Sequence, residues 1–187
     1  RFFMIVKIKD KKKHVIFFKK EDNITVNSNN QKRKAFFFDR DGVLIKDTHY
    51  IKKPQDVSLL NGVDDFLNKT KKLGYLNIII TNQSGISRKL FSWEDYEKVT
   101  KRMLTMMKNK DSINAIYANG ENSSDSLKNT SWRKPNPNMI LRAAKDFNLE
   151  LSKSFLIGDR LSDISSGERA GIKNIFHVLT GHGINER

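Results

Sequence analysis

Apolar positions along this 187-residue chain fall into short runs separated by amphipathic stretches. Phe36-Phe37-Phe38 is too short for a helix and breaks off into Asp39-Arg40-Asp41-Gly42, which reads as a buried strand ending in turn chemistry. Residues 75–80, 113–118, 154–157 and 174–179 are further strands by the same criterion. Between them lie four helical patterns. The first covers 63–73 (Val63, Phe66, Leu67, Thr70, Leu73) and stops at Gly74; the second covers 93–109, with Ser92 and Asp95 at capping-box spacing. The third covers 137–147 and opens with Pro137, and the fourth covers 162–170 and stops at Gly171. The Met103, Met106, Met107 stripe belongs to a core face. Strand and helix alternate from Ala35 onward, so the fold class is α/β, a doubly wound parallel sheet covered on both faces.

Upstream the pattern changes. Residues 2–9 and 14–18 are rich in β-formers around a charged turn at 10–13, residues 24–26 offer a third short strand, and 27–34 form a polar linker. The chain therefore divides into a β-rich extension with its linker (1–34) and an α/β domain (35–187). A hairpin of that size needs a packing partner. Asn119 to Ser131 is a long polar loop of the kind tied to function.

Composition narrows the chemistry. The absence of cysteine excludes disulfides, thiolate metal sites and a cysteine nucleophile. The net charge is +14 and the pI about 9.9, a balance that attracts nucleic acid or phosphorylated substrates. The lysines are scattered among many asparagines and isoleucines, which is compositional bias rather than a binding patch, so nucleic acid ranks second to a small phosphorylated metabolite as partner. No run approaches the ~20 apolar residues of a membrane span, and Lys7 and Lys9 interrupt the apolar start, which gives no signal-peptide pattern. The expectation is a cytoplasmic monomer with no membrane partner.

Four polar signals sit where strands end or a helix begins. They are Asp39 and Asp41, Thr81-Asn82, Arg133-Lys134 before Pro135, and Asp159 with Asp163 four residues on. In a parallel sheet such ends converge on one rim, where open α/β folds bind ligands. Two carboxylates one residue apart repel unless a cation lies between them, and Mg²⁺ would both relieve the repulsion and draw in a phosphate. His14, His49, His177 and His182 have no partner at metal-ligand spacing and read as structural or surface histidines.

In that order the motifs Asp39-Arg40-Asp41-Gly42-Val43-Leu44, Thr81-Asn82-Gln83-Ser84-Gly85-Ile86, Arg133-Lys134-Pro135-Asn136-Pro137 and Ile157-Gly158-Asp159-Arg160-Leu161-Ser162-Asp163 resemble the haloacid dehalogenase superfamily of phosphohydrolases. The closer likeness, over about 35–182, is to its capless branch of heptose-bisphosphate and histidinol-phosphate phosphatases. The resemblance implies a Rossmann-like sheet without a cap domain and a Mg²⁺-dependent phosphomonoester hydrolase. It makes Asp39 the nucleophile that forms an aspartyl-phosphate, Asp41 the general acid and base, and Thr81 and Lys134 the stabilisers of the transferred phosphoryl group. Mg²⁺ would be held by Asp39, the backbone carbonyl of Asp41 and Asp159, with Asp163 orienting Lys134 or a metal-bound water. Asn82, Arg88 and Arg133 are the implied substrate-binding residues, with Arg133 reaching a second phosphate. A sugar phosphate such as D-glycero-D-manno-heptose 1,7-bisphosphate is the first expectation. Histidinol phosphate, a polynucleotide 3′-phosphate and a non-catalytic binding module are the alternatives. Members of the branch often carry a Cys/His zinc loop before the third motif; here that place is Asn119 to Asp125, so no structural zinc is expected. Lys89 and Asn138 stand where glycine is usual.

Overall fold

A computed structural model describes residues 8–10, 14–18 and 31–186. Its elements in chain order are β1 (Ile8–Asp10), β2 (His14–Phe18), β3 (Ala35–Phe38), α1 (Val63–Lys72), β4 (Leu76–Asn82), α2 (Trp93–Met106), β5 (Ala115–Asn119), α3 (Asn138–Phe147), β6 (Phe155–Gly158), α4 (Leu161–Ala170) and β7 (Asn174–His177). They build one sheet of order β1-β2-β5-β4-β3-β6-β7, in which the five strands from β5 to β7 are parallel. The doubly wound expectation holds.

The alternation of side chains along β3 separates two cores. Phe36 and Phe38 enter one, with Leu67 of α1 and Tyr96, Val99 and Met103 of α2. Ala35 and Phe37 enter the other, with Met139, Ile140, Ala143 and Phe147 of α3. A strand covered on both faces must be apolar at every position, which explains the unbroken phenylalanine run. Phe36 stacks on Phe155 of β6 with ring centroids 4.5 Å apart, so neighbouring strands lock side by side.

One residue breaks the apolar run from Leu76 to Ile80 in β4. Asn77 is fully buried, yet its amide receives the Thr70 hydroxyl (2.7 Å) and donates to the carbonyls of Leu67 (2.9 Å) and Ser112 (2.8 Å). Its backbone N–H donates to Asn114 Oδ1 at 2.8 Å. A satisfied buried amide is tolerated where an orphaned one is not, and this one ties the last turn of α1 to the approach of β5.

Some boundaries move. Helix α2 stops at Met106 rather than 109, because Met107 turns extended (ψ 134°) and is buried in the first core. Strand β5 begins at Ala115 rather than 113 and runs on to Asn119, and β7 ends at His177. Upstream, β1 and β2 form the expected antiparallel hairpin, and β2 pairs antiparallel with β5 (Ile16 opposite Tyr117). That pairing gives the hairpin its support and covers a β5 edge that would otherwise be open. The strand expected at 24–26, residues 2–7, the turn at 11–13 and the linker segment 27–30 lie outside the described residues. Among the described residues no helix is long and apolar enough to cross a membrane.

Replacing Asn77 by Ala strands the partners of its amide in a dry core. We expect Asn77→Ala to lower unfolding free energy by about 1–3 kcal/mol in urea titration; a loss within the ~0.5 kcal/mol typical of neutral surface changes would contradict the role given to this amide.

Candidate active site

The winding of the sheet reverses between β3 and β6, and a doubly wound sheet opens a crevice there at its carboxyl edge. Asp39 directly follows β3 and donates its backbone N–H to Ile157 O of β6 (3.1 Å). Asp159 directly follows β6. The two strand ends thus set two carboxylates side by side, and Asp163 joins them from the first turn of α4. Carboxylate oxygens of Asp39, Asp159 and Asp163 lie within 4.8 Å of one another, and all three residues are buried.

Lys134 enters from the loop before α3. Its Nζ lies 3.2 Å from Asp39 and 2.5 Å from Asp163, and donates to Ile80 O at 3.0 Å. Burial pushes this ammonium down, but Asp163 and Asp39 outweigh it and hold the lysine above its ordinary range. Asp163 also accepts the backbone N–H of Arg160 (3.0 Å), which caps α4 and fixes the carboxylate. Asp39 is pushed up to about 7, first by burial, against the pull of Lys134, and then by Asp163, Asp159 and Asp41. Burial likewise raises Asp159, opposed by the His182 backbone N–H that reaches its Oδ2 at 2.8 Å.

Asp41 is held differently. Arg40 Nε and Nη2 grip its carboxylate at 2.9–3.2 Å, and Gln83 Nε2 donates to it at 2.8 Å. Arg40 is itself buried, with its guanidinium 4.9 Å from the centre of the Tyr96 ring. Gln83 Nε2 also donates to Thr81 Oγ1 at 2.9 Å, so Thr81 lies beneath the floor, buried and tied to the same clamp. Arg40 and Gln83 stand inside the first two motifs, where nothing local in the sequence marks them; the fold shows that they hold Asp41.

Asn82 lines the cavity, and its amide also holds Lys134. Its Oδ1 accepts Lys134 N–H (3.1 Å) and its Nδ2 donates to Lys134 O (3.2 Å), so the amide is occupied in positioning the lysine backbone. Arg88 and Arg133 do line the cavity, a space of about 400 Å³ that also takes in Asp39, Asp41, Tyr50, Lys134 and Arg160. Arg88 donates to the Tyr50 hydroxyl at 2.7 Å. Arg133 is lowered by burial and then by the neighbouring charges of Arg88 and Arg160, the mark of a crowded cationic pole. Trp132 does not border the cavity; it packs in the second core beside Tyr117.

The 119–131 loop is tied at its base by Glu121, which sequence reasoning missed. This buried carboxylate accepts the Ser131 hydroxyl and the Trp132 N–H (3.1 Å), and its backbone carbonyl receives Arg133 Nη1 at 3.3 Å. The loop thereby helps set the direction of Arg133.

The donor set suits a hard cation. Asp159 Oδ1 is buried without a hydrogen-bond partner. A Cβ at Gly42 (φ 82°) or Gly181 (φ 57°) would stand 2.4 or 2.2 Å from Asp159 Oδ2, so two left-handed glycines cradle this carboxylate where any side chain would collide. With Asp163 engaged by Lys134, the oxygens of Asp39 and Asp159 are the pair suited to Mg²⁺.

A carboxyl raised when folded binds its proton more tightly than when unfolded, so its contribution to stability falls as pH rises from 3.8 to about 7. In chelator, wild-type protein is therefore expected to lose melting temperature relative to Asp39→Asn as pH climbs through that window. Mg²⁺ should restore the wild type above pH 7 more than the variant. A difference between the two proteins that ignores both pH and Mg²⁺ would contradict this charge balance.

Comparison with known proteins bears on the same residues. Residues 34–172 match the model of the polynucleotide kinase 3 phosphatase family. The chain is 38% identical over 160 residues to the D-glycero-alpha-D-manno-heptose-1,7-bisphosphate 7-phosphatase of Photorhabdus laumondii, covering 83% of this chain and 87% of that one. It is 34% identical over 158 residues to the D-glycero-beta-D-manno-heptose-1,7-bisphosphate 7-phosphatase of Pasteurella multocida, covering 82% and 86%. A solved D,D-heptose 1,7-bisphosphate phosphatase from B. bronchiseptica, complexed with magnesium and phosphate, matches at TM-score 0.74 and 26% identity over 81% of this chain and 84% of that one. With its rim motifs drawn together at the switch point of a doubly wound sheet, the chain belongs to the polynucleotide kinase 3 phosphatase family within the haloacid dehalogenase superfamily, and it is a phosphatase.

Proposed function

We propose that this phosphatase is a Mg²⁺-dependent phosphomonoester hydrolase that works through an aspartyl-phosphate on Asp39, with D-glycero-D-manno-heptose 1,7-bisphosphate as its substrate. The observation that carries the reading is a cavity with two cationic poles. Lys134 stands beside the Asp39 carboxylate at one, and Arg88, Arg133 and Arg160 crowd the other. A space of about 400 Å³ with a pole for each phosphate suits a small bisphosphate. The names of the curated relatives and of the magnesium- and phosphate-bound neighbour support the same substrate class and metal.

Asp39 and Asp159, with the backbone carbonyl of Asp41, would hold Mg²⁺, which when bound supplies positive charge against the phosphate oxygens. Asp39 attacks phosphorus, and the bond from phosphorus to the sugar oxygen breaks as Asp41 gives that oxygen its proton. Asp41 then takes a proton from water, which attacks the aspartyl-phosphate and returns Asp39 as a carboxylate. Lys134 neutralises charge on the phosphoryl oxygens while Asp163 and Asn82 keep it in place. Arg40 and Gln83 hold Asp41 so that it faces the leaving oxygen rather than Asp39. Arg133 anchors the remote phosphate as a paired donor.

Phosphate release with Mg²⁺ should be fastest on the heptose bisphosphate, slower on histidinol phosphate and on an oligonucleotide 3′-phosphate, and absent in Asp39→Asn. Preference for the oligonucleotide would favour the alternative supported by the matched family's description and by the +14 charge. Silence on all three would overturn the proposal. Arg133→Ala should raise KM for the bisphosphate about 10- to 100-fold, the loss of one charge-assisted pair, with a smaller change in kcat. An unchanged KM would remove Arg133 from substrate binding.

A further inference from the structure

Sequence spacing gives His49 and His182 no metal-ligating partner, but the fold supplies one. Asp47 and His49 lie in the loop that follows the first motif, and His182 lies in the turn after β7. Their donor atoms come within 4.8 Å of one another at the cavity rim. His182 Nε2 is already 3.1 Å from Asp47 Oδ2, and the His49 and His182 ring centroids are 5.7 Å apart. Asp47 Oδ1 accepts the His49 N–H at 2.8 Å and so fixes the turn that holds His49 at φ 58°, a left-handed conformation in which histidine is enriched over most residues.

We propose that Asp47, His49 and His182 form a second metal site, for a borderline transition-metal ion of which Zn²⁺ is the type, separate from the Asp39–Asp159 pair. Two imidazoles and one carboxylate are a ligand set that zinc takes with a fourth position left open. Mg²⁺ prefers oxygen donors throughout, so donor chemistry keeps the two ions apart. Zinc bonds of ~2.0–2.1 Å place tetrahedral donors roughly 3.3 Å from each other. Asp47 and His182 stand near that spacing, and a donor atom of the exposed His49 lies within 4.8 Å of both. A hydrogen bond between Asp47 and His182 accounts for that contact alone and leaves His49 without a role.

The ion ties the loop after the first motif to the turn after β7, next to the machinery but not part of it. His182 donates its own backbone N–H to Asp159 Oδ2 (2.8 Å), and Gly181 abuts the same carboxylate. Asp47 and His49 also line the substrate cavity, so the open position is available to water or to a substrate oxygen.

The test uses the full chain without an affinity tag, stripped with chelator and returned to excess Mg²⁺. Co²⁺ is then titrated in while visible absorption is read. One equivalent of Co²⁺ should bind with the intense bands of low-coordinate cobalt, and Zn²⁺ should displace it. The bands should vanish in His49→Ala and in His182→Ala, both checked for folding by circular dichroism, and persist in Asp39→Asn, which has no hydrolytic activity to lose. His49 is exposed, so its variant keeps the fold. Cobalt bands that survive His49→Ala, or no cobalt binding in the presence of Mg²⁺, would overturn the site, and neither result touches the assignment of Asp39.

Discussion

Four carboxylates share one rim, three of them buried, and the cations in contact with them among the described residues are Lys134 and Arg40. Like charges taken out of water destabilise the fold unless each finds compensation. Asp163 is matched by Lys134 and the N–H of Arg160, and Asp41 by Arg40 and Gln83. Asp39 must share Lys134, and Asp159 has one oxygen on a backbone N–H and the other on nothing. The shortfall is therefore localised. It falls on the two groups at the ends of β3 and β6, where a divalent cation would repair it and bring a phosphate with it. A site short of positive charge in the free protein is a site built to receive it.

The scaffold makes that crowding stable by stiffness around it. Strand β3 is locked on both faces by separate cores and along its edges by β4 and β6, so Asp39 is carried on a rigid element. Asn77 pins α1 to the sheet with a satisfied amide, while Gly42 and Gly181 let the backbone close around Asp159. The Asn77 amide and the Asp41 carboxylate are answered by named partners, whereas Asp159 Oδ1, one of several buried side-chain atoms without a hydrogen bond, lies where a cation would sit.

What the sequence makes legible follows from how local each signal is. The strand ends that carry Asp39, Thr81 and Asp159, and the helix that follows Lys134, are written in runs of a few residues, and the parallel sheet converts those runs into one rim. Contacts between residues far apart in the chain are not written that way. Asp47 meets His182 across most of the domain, Glu121 ties the base of the 119–131 loop, and Asn82 serves the lysine backbone of another segment. None of these has a periodicity or a spacing to betray it. Asn77 was hidden for the opposite reason, since a single polar residue inside a hydrophobic strand does not alter its pattern.

The central claim is that Asp39 becomes covalently phosphorylated. The direct measurement is a reaction with excess heptose bisphosphate and Mg²⁺, quenched in the steady state, reduced with borohydride and mapped by mass spectrometry. An acyl phosphate on Asp39 is converted to homoserine at that position, and the account predicts this product at residue 39 and not in the absence of substrate. Turnover with no modified residue, or with the modification elsewhere, would contradict it.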